Sequence, residues 1–532
     1  MLTVSQEPEL QTDTSAESLR LSEKTREKQT YGQILKSSAV VGGSSVLNIG
    51  IGIVRTKAMA LLLGPGGVGL AGLYTSITTV AQSVAGMGVN NSGVRQIAEA
   101  VGKDDKESIG RTVAVLRRTS VALGALGALA LICLSPLVSK LTFGTTAHTG
   151  MVCLLALSLM LQLISVGQGA LLQGMRRIGD LARMNVIGAL TGTIVGIPVV
   201  YFFREKGIVP SLICVSAMAV LTSWWYSRKI KVFIPGISVK EFRYEVGALL
   251  KLGVAFMLSG LLVGGVAYIT RIILSRHVGI VATGLYQSAW MLGGLYVNVI
   301  LQAMGADFYP RLSAVGKDNQ ECNRMVNEQA LIGLLLAGPG VIATLTFAPV
   351  VIAAFYSAKF AAAVGVLRWV SLGATLQVIT WPMGFIILAK ARQDFFILSE
   401  GIWALMAVGL SWFFITRFGL TGAGIAFFIS YILHAALVYP IVRRLSGFHW
   451  SSTNKNVGTL FLLLIAATFA QVMLFPSMIA FAVGLVMTML AMIFSVRLLM
   501  KLVPTEDVPR PIRRLLSLFA PRPSSRLAVE TE

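Results

Sequence analysis

Fourteen stretches of this chain are each long and apolar enough to cross a bilayer as a helix. Spanning the hydrocarbon takes about 20 residues at a 1.5 Å rise. The stretches cover residues 37–63, 70–97, 112–141, 151–174, 181–203, 208–226, 246–274, 281–306, 327–355, 362–389, 395–416, 420–442, 457–475 and 478–500. Inside lipid a backbone must satisfy its own polar groups, which leaves a helix bundle or a closed barrel. The runs are too long for barrel strands and do not alternate apolar with polar residues. The expected fold is an all-α polytopic membrane protein of about 14 transmembrane helices. Composition agrees: 13% of residues are charged, against roughly 25% in soluble domains.

The spans form two copies of one six-helix unit. Residues 69–76 read GLAGLYTS and 281–288 read VATGLYQS; 161–165 read LQLIS and 376–380 read LQVIT. Arg177 and Asp180 close one apolar run, and Arg392 and Asp394 close its counterpart. An even number of helices returns the chain to its starting side, so the repeats share one orientation about an axis along the membrane normal. The expected domains are a disordered cytoplasmic tail (1–33), an N-lobe (34–230), a cytoplasmic linker (231–249), a C-lobe (250–444), two extra helices (455–502) and a basic tail (503–532). Residues 511–520 of that tail read as an amphipathic segment on the inner leaflet. Pro198, Pro339, Pro382 and Pro440 are candidate kinks. A duplicated bundle with a site between its halves is a common transporter design.

The net charge of +21 would suit nucleic acid, but its distribution argues for a membrane. Only six Lys and Arg fall in one set of loops: Lys140, Arg204, Lys206, Arg276, Lys359 and Arg417. Four more (Arg55, Lys57, Arg271, Arg368) lie inside apolar runs. The rest sit at the termini and in alternate loops. This positive-inside asymmetry predicts a multi-pass membrane protein with both termini in the cytoplasm.

Enzyme chemistry finds little support. Four cysteines lack paired spacing and four histidines are scattered, so no metal site is expected. The segment GPGGVG (64–69) lacks the Lys-Ser/Thr of a phosphate cradle and reads as a tight turn. There is no nucleophile–base pair, no ATP motif and no outward loop large enough for a catalytic domain. No cofactor is expected, and an ion or substrate gradient must drive any transport.

Intramembrane charges are the best functional leads, because each costs at least roughly 2.5–3.5 kcal/mol to insert. Arg55 lies 19 residues beyond Lys36, about 28 Å along a helix, and Arg271 lies 20 beyond Lys251. The two match between repeats. With Lys57 and Arg368 they are read as an anion-binding site facing a central cleft, the alternative being cations that snorkel to headgroups. Lys36, Arg95, Lys251 and Arg311, also in register, either form a cytoplasmic anion ring or simply set topology. Glu400 and Asp307 are candidates for a coupling-ion site. For Glu400 the favoured reading is an ion pair with Arg392 or Lys390.

Two regions carry a family resemblance. LLLGPGGVGLAGLY (61–74) is similar to the first hairpin of Wzx-type lipid-linked oligosaccharide flippases. SAKF (357–360) through LRWVSLGATLQVITWPMGFIILAKARQDFFILSE (367–400) resembles their tenth and eleventh helices, and FGLTGAGIA (418–426) also fits. These flippases belong to the multidrug/oligosaccharidyl-lipid/polysaccharide exporter superfamily. The resemblance implies a MATE-like two-lobed bundle with two additional C-terminal helices. It also implies alternating access that moves an undecaprenyl-pyrophosphate-linked oligosaccharide, such as an O-antigen repeat unit, to the periplasmic leaflet. Implied partners are that glycolipid, membrane lipids, and polysaccharide polymerase and chain-length proteins. The chain departs from the family pattern at Ala374, where relatives carry an acid, and at Gln377, where they carry Lys. Competing readings are an ion-coupled antiporter of small molecules and an exporter of another polysaccharide precursor. A membrane enzyme of the same pathway is more distant.

Overall fold

The computed structural model describes residues 11–103, 105–230, 232, 236, 238–303 and 308–502. Side-chain surroundings are described from residue 43 onward, save 252, 255, 296, 298, 299, 302, 303 and 310. All regular structure among these residues is helical: α1 (Gln11–Gly86), α2 (Val89–Gly102), α3 (Lys106–Phe143), α4 (Thr149–Gly174), α5 (Ile178–Phe203), α6 (Ile208–Ser227), α7 (Val239–His277), α8 (Ile280–Ala303), α9 (Tyr309–Ala314), α10 (Asn319–Phe355), α11 (Ala363–Ala389), α12 (Gln393–Ser446), α13 (Ser452–Leu474) and α14 (Ser477–Leu502).

Two of these helices each hold two spans. Gly64 (φ 66°, ψ −170°) breaks α1, and Gly419 (φ 58°, ψ −134°) breaks α12. Glycine alone reaches these angles without a Cβ clash, and Pro65 then restarts the first helix with its preset φ. Counting α1 and α12 twice and leaving out the short α2 and α9 recovers fourteen spans. The run 70–97 is not one helix, because Met87 (φ 45°) and Gly88 (φ 63°) separate α2 from the span before it. Residues 11–33, expected as a disordered tail, continue α1 as helix; their Glu, Gln, Lys, Arg and Leu residues favour it. The tail 503–532, with its amphipathic segment, lies outside the described residues.

The candidate prolines do not interrupt their helices; the breaks are at glycines instead. A proline does orphan the carbonyl four residues earlier. Two such carbonyls find side-chain donors: Ser135 Oγ donates to Ile132 O (2.7 Å) ahead of Pro136, and Arg368 Nε donates to Leu345 O (3.2 Å) ahead of Pro349.

The first bundle is built by α1–α6 and the second by α7–α12, with α13 and α14 packed outside α10. The bundles meet where residues 65–86 lie against α7 and α8, and the contact is made by backbone. A Cβ on Gly284 would fall 1.8 Å from Pro65 O, and one on Gly69 2.2 Å from Ile280 O. Farther along, a Cβ on Gly253 would fall 2.1 Å from Met87 O. The two repeat-matched motifs, GLAGLY and VATGLY, are thus pressed together at one end of the seam.

Candidate functional site

The second bundle encloses a cavity of about 600 Å³ among α7, α8, α11 and both halves of α12. Hairpin geometry assembles one wall of it. Glu400 and Trp403 lie one turn apart on the first half of α12, and Tyr431 and His434 one turn apart on the second. Residues three apart share a helix face. Both pairings, 400 with 434 and 403 with 431, are centred on position 417, beside the Gly419 break, so folding the hairpin brings the faces together. The rings of Trp403, Tyr431 and His434 lie 5.8–6.0 Å apart.

Glu400 Oε1 stands 3.7 Å from His434 Nε2, beyond hydrogen-bond distance. The imidazole is buried, yet neither ring nitrogen has a hydrogen-bond partner, and Trp403 Nε1 is also unpaired. Unsatisfied buried polar atoms are rare and need a reason; here they border a cavity. Gln377 is within hydrogen-bond reach of Tyr431, and the hydroxyls of Thr270 and Ser411 lie 3.2 Å apart. Trp290 and Trp381 complete an aromatic lining.

This corrects the expectation for Glu400. Arg392 is held by Asp394 in a bidentate pair (3.0 and 2.8 Å), and Lys390 hydrogen-bonds Asn319. Asp394 is two residues from Arg392, whereas Glu400 lies two turns along the helix and faces the cavity. Asp307 lies outside the described residues.

The four intramembrane cations take different positions. Arg271 is buried between α7 and α8, donating from Nε to Gln287 Oε1 (2.8 Å) and from Nη1 to Ala267 O (2.8 Å), with Tyr286 beneath the guanidinium. It lies directly behind the cavity wall formed by Ala267, Thr270 and Tyr286. Arg55 is half-buried and has no hydrogen bond or ion pair among the described residues. Lys57 is drawn to the end of α10, donating to Ala353 O (3.0 Å) and Ala354 O (2.8 Å). Arg368 faces α10 through its bond to Leu345 O rather than the cavity. These contacts join no two of the four to one another. Arg95, Lys251 and Arg311 are exposed, and the side chain of Lys36 lies outside the described residues.

The second bundle makes a comparable contact. Arg276, at the end of α7, donates to Lys140 O (3.0 Å) in the last turn of α3. The first helix of each bundle thus places a cation on the C-terminal carbonyls of the other bundle's third long helix, the favourable pole of its dipole. Sequence reasoning missed this pair and missed His434, because each depends on a partner more than 30 residues away. The symmetric spacing about Gly419 was the available signal for His434.

The fold has known relatives. A family described as polysaccharide biosynthesis protein matches residues 58–365, more than half of the chain. The chain is 25% identical over 434 residues to the "Lipid III flippase" of Escherichia coli (strain K12), covering 77% of this chain and 99% of that protein. Among solved structures, an inward-facing "multidrug resistance MATE family transporter of the MOP superfamily" superposes with a TM-score of 0.62 at 17% identity, covering 76% of this chain and 98% of the other. "Lipid II flippase MurJ, inward closed conformation" gives 0.61 at 14% identity, covering 88% and 99%. The architecture is therefore a two-lobed helical bundle like that of these structures, as the resemblance led us to expect.

Proposed function

We propose, on the premise that the chain belongs to the polysaccharide biosynthesis protein family, that it flips an undecaprenyl-pyrophosphate-linked oligosaccharide of the O-antigen type from the cytoplasmic to the periplasmic leaflet. The bodies that rock are the lobes 34–230 and 250–444, with both termini in the cytoplasm of a bacterial cell. The observation that carries this reading is the cavity wall. It combines flat aromatic faces (Trp290, Trp381, Trp403, Tyr431) with uncharged hydrogen-bonding groups such as Gln377 and Thr380. Such a surface suits sugar rings, which present apolar faces and peripheral hydroxyls. The lipid tail stays in the bilayer while the glycan occupies the cavity.

In this scheme Arg271 and Arg55 attract the pyrophosphate, since guanidinium groups bind phosphate oxygens through paired hydrogen bonds. Glu400 and His434 form the coupling site. Carboxylate and imidazole stand 3.7 Å apart without a hydrogen bond, a gap that a coupling cation would bridge to favour one lobe arrangement over the other. His434→Gln is then expected to lower the gradient-driven rate of export while leaving substrate binding in place.

The decisive measurement is the location of undecaprenyl-linked oligosaccharide after depletion of the protein. Accumulation on the cytoplasmic face with loss of surface polysaccharide is the expected result. Normal glycan export with altered sensitivity to cationic compounds would place the protein with the antiporters. A double Arg55→Gln/Arg271→Gln variant that exports normally would remove the arginines from the site without touching the flippase reading.

A further inference from the structure

We propose that a groove between α3, α4 and α6, on the flank of the first bundle, binds the phosphate of an anionic membrane-lipid headgroup. The groove has a volume of about 240 Å³ and is lined by Arg117, Ser120, Gln168, Trp224, Ser227 and Arg228. It is separate from the cavity of the second bundle, and nothing in this inference depends on what that cavity carries.

Its electrostatics are unbalanced. Neither Arg117 nor Arg228 has a carboxylate partner or a hydrogen bond among the described residues. Arg117 is half-buried, and Arg228 lies over two indoles, 4.6 Å from the ring centre of Trp224 and 3.9 Å from that of Trp225. The indoles fix the height and plane of the guanidinium but do not neutralise it. By contrast, Arg111 is paired with Glu107, and Arg324 with Glu321 and Glu328. Between the two cations Ser120 lines the recess with a hydroxyl that has no hydrogen bond among the described residues, and Gly167 keeps the floor open: a Cβ there would fall 2.3 Å from Ser120 Oγ. Two unmatched guanidiniums and a free hydroxyl around a small recess form a receptor for a tetrahedral oxyanion.

Location decides which anion. Of the three walls, α3 also touches α7, whereas α4 and α6 pack chiefly within the first bundle, so the side of the groove formed by α4 and α6 lies away from the seam. Trp224 and Trp225, each half exposed, mark the depth at which indoles sit among headgroups. Toward the bundle centre the groove is bordered by Val121 and Leu221, both exposed apolar side chains that acyl chains would cover. A diacyl lipid meets all three requirements, with phosphate on the arginines, glycerol at the tryptophans and chains along Val121 and Leu221. Basic recesses between helices at this depth select acidic over zwitterionic lipids.

The test uses the full-length protein in phosphatidylethanolamine vesicles with or without phosphatidylglycerol. Lipid retained after extraction is counted by native mass spectrometry. Wild type is expected to keep phosphatidylglycerol in preference to phosphatidylethanolamine. Arg117→Gln/Arg228→Gln should lose at least tenfold of that retention. Gly167→Ala keeps both charges and crowds the recess, so a several-fold loss is expected there too. Matching circular-dichroism spectra and monodisperse elution establish that each variant is folded. Undiminished retention in the double arginine variant would overturn the proposal. So would undiminished retention in Gly167→Ala, since the arginines would then act as diffuse charge and not as a site. Equal affinity for inorganic phosphate in purely zwitterionic vesicles, without preference among lipids, would make the recess a free-anion pocket and reject the lipid.

Discussion

Arg368 shows how an intramembrane charge can be structural. Pro349 leaves Leu345 O without a helical donor, and Arg368 Nε supplies one from the neighbouring helix. Hydrogen bonds from charged donors contribute about 1.5–3 kcal/mol, and Arg368→Met should destabilise the folded protein by that order. Restoring the backbone donor with Pro349→Ala should shrink the effect in a double-mutant cycle of detergent melting. An unchanged Arg368→Met penalty in the Pro349→Ala background would show that the carbonyl is not what the arginine serves. Arg271 differs, since two of its nitrogens reach separate acceptors, Gln287 Oε1 and Ala267 O. Lysine cannot span both, so Arg271→Lys should lower export about tenfold or more, for a loss of about 1.4 kcal/mol or more per decade. Wild-type export by Arg271→Lys would mean that only the charge matters. The sequence located both arginines because insertion cost makes any such residue conspicuous. It did not tell them apart, because the Leu345 carbonyl and the Gln287 amide approach only through tertiary packing.

At the scale of elements, glycine decides where helices stop and where they touch. Run length alone was enough to recover the fourteen spans, since nothing else satisfies twenty residues of backbone in lipid. The break at Met87–Gly88 was not legible, because apolar sequence continues straight through it. Nor was the seam, where Gly69 and Gly284 allow backbone to pack against backbone. A cysteine pair at Gly66 and Val281 tests it directly, as a Cβ at 66 would lie 3.8 Å from Val281 Cγ2. In a background freed of native cysteines the pair should form a disulfide under mild oxidation. Adding Gly284→Ala, whose methyl would meet Pro65 O, should reduce the yield several-fold. Equal yields with and without the methyl would show that the helices do not cross there.

Over the whole molecule the reciprocal contacts of Lys57 with the end of α10 and of Arg276 with the end of α3 tie the bundles at one end. Each is an exposed cation on a helix C-terminus, worth about 0.3–1 kcal/mol, so the pair biases an equilibrium without locking it. Lys57→Gln/Arg276→Gln should raise the labelling rate of a single cysteine at Gly66 by roughly threefold to thirtyfold, the factor those energies allow when both contacts are lost. No change in labelling would show that these contacts close nothing. The oxidised Gly66→Cys/Val281→Cys pair should halt export, and reduction should restore it; export through the crosslinked protein would rule out separation of the bundles at that end. The glycine seam has a further consequence for descent. Its fit depends on main-chain atoms and absent side chains, while most of the cavity wall is supplied by α11 and α12, which take no part in that contact. Selection is therefore free to rewrite most of the cavity wall, lineage by lineage, without disturbing the contact that joins the two halves.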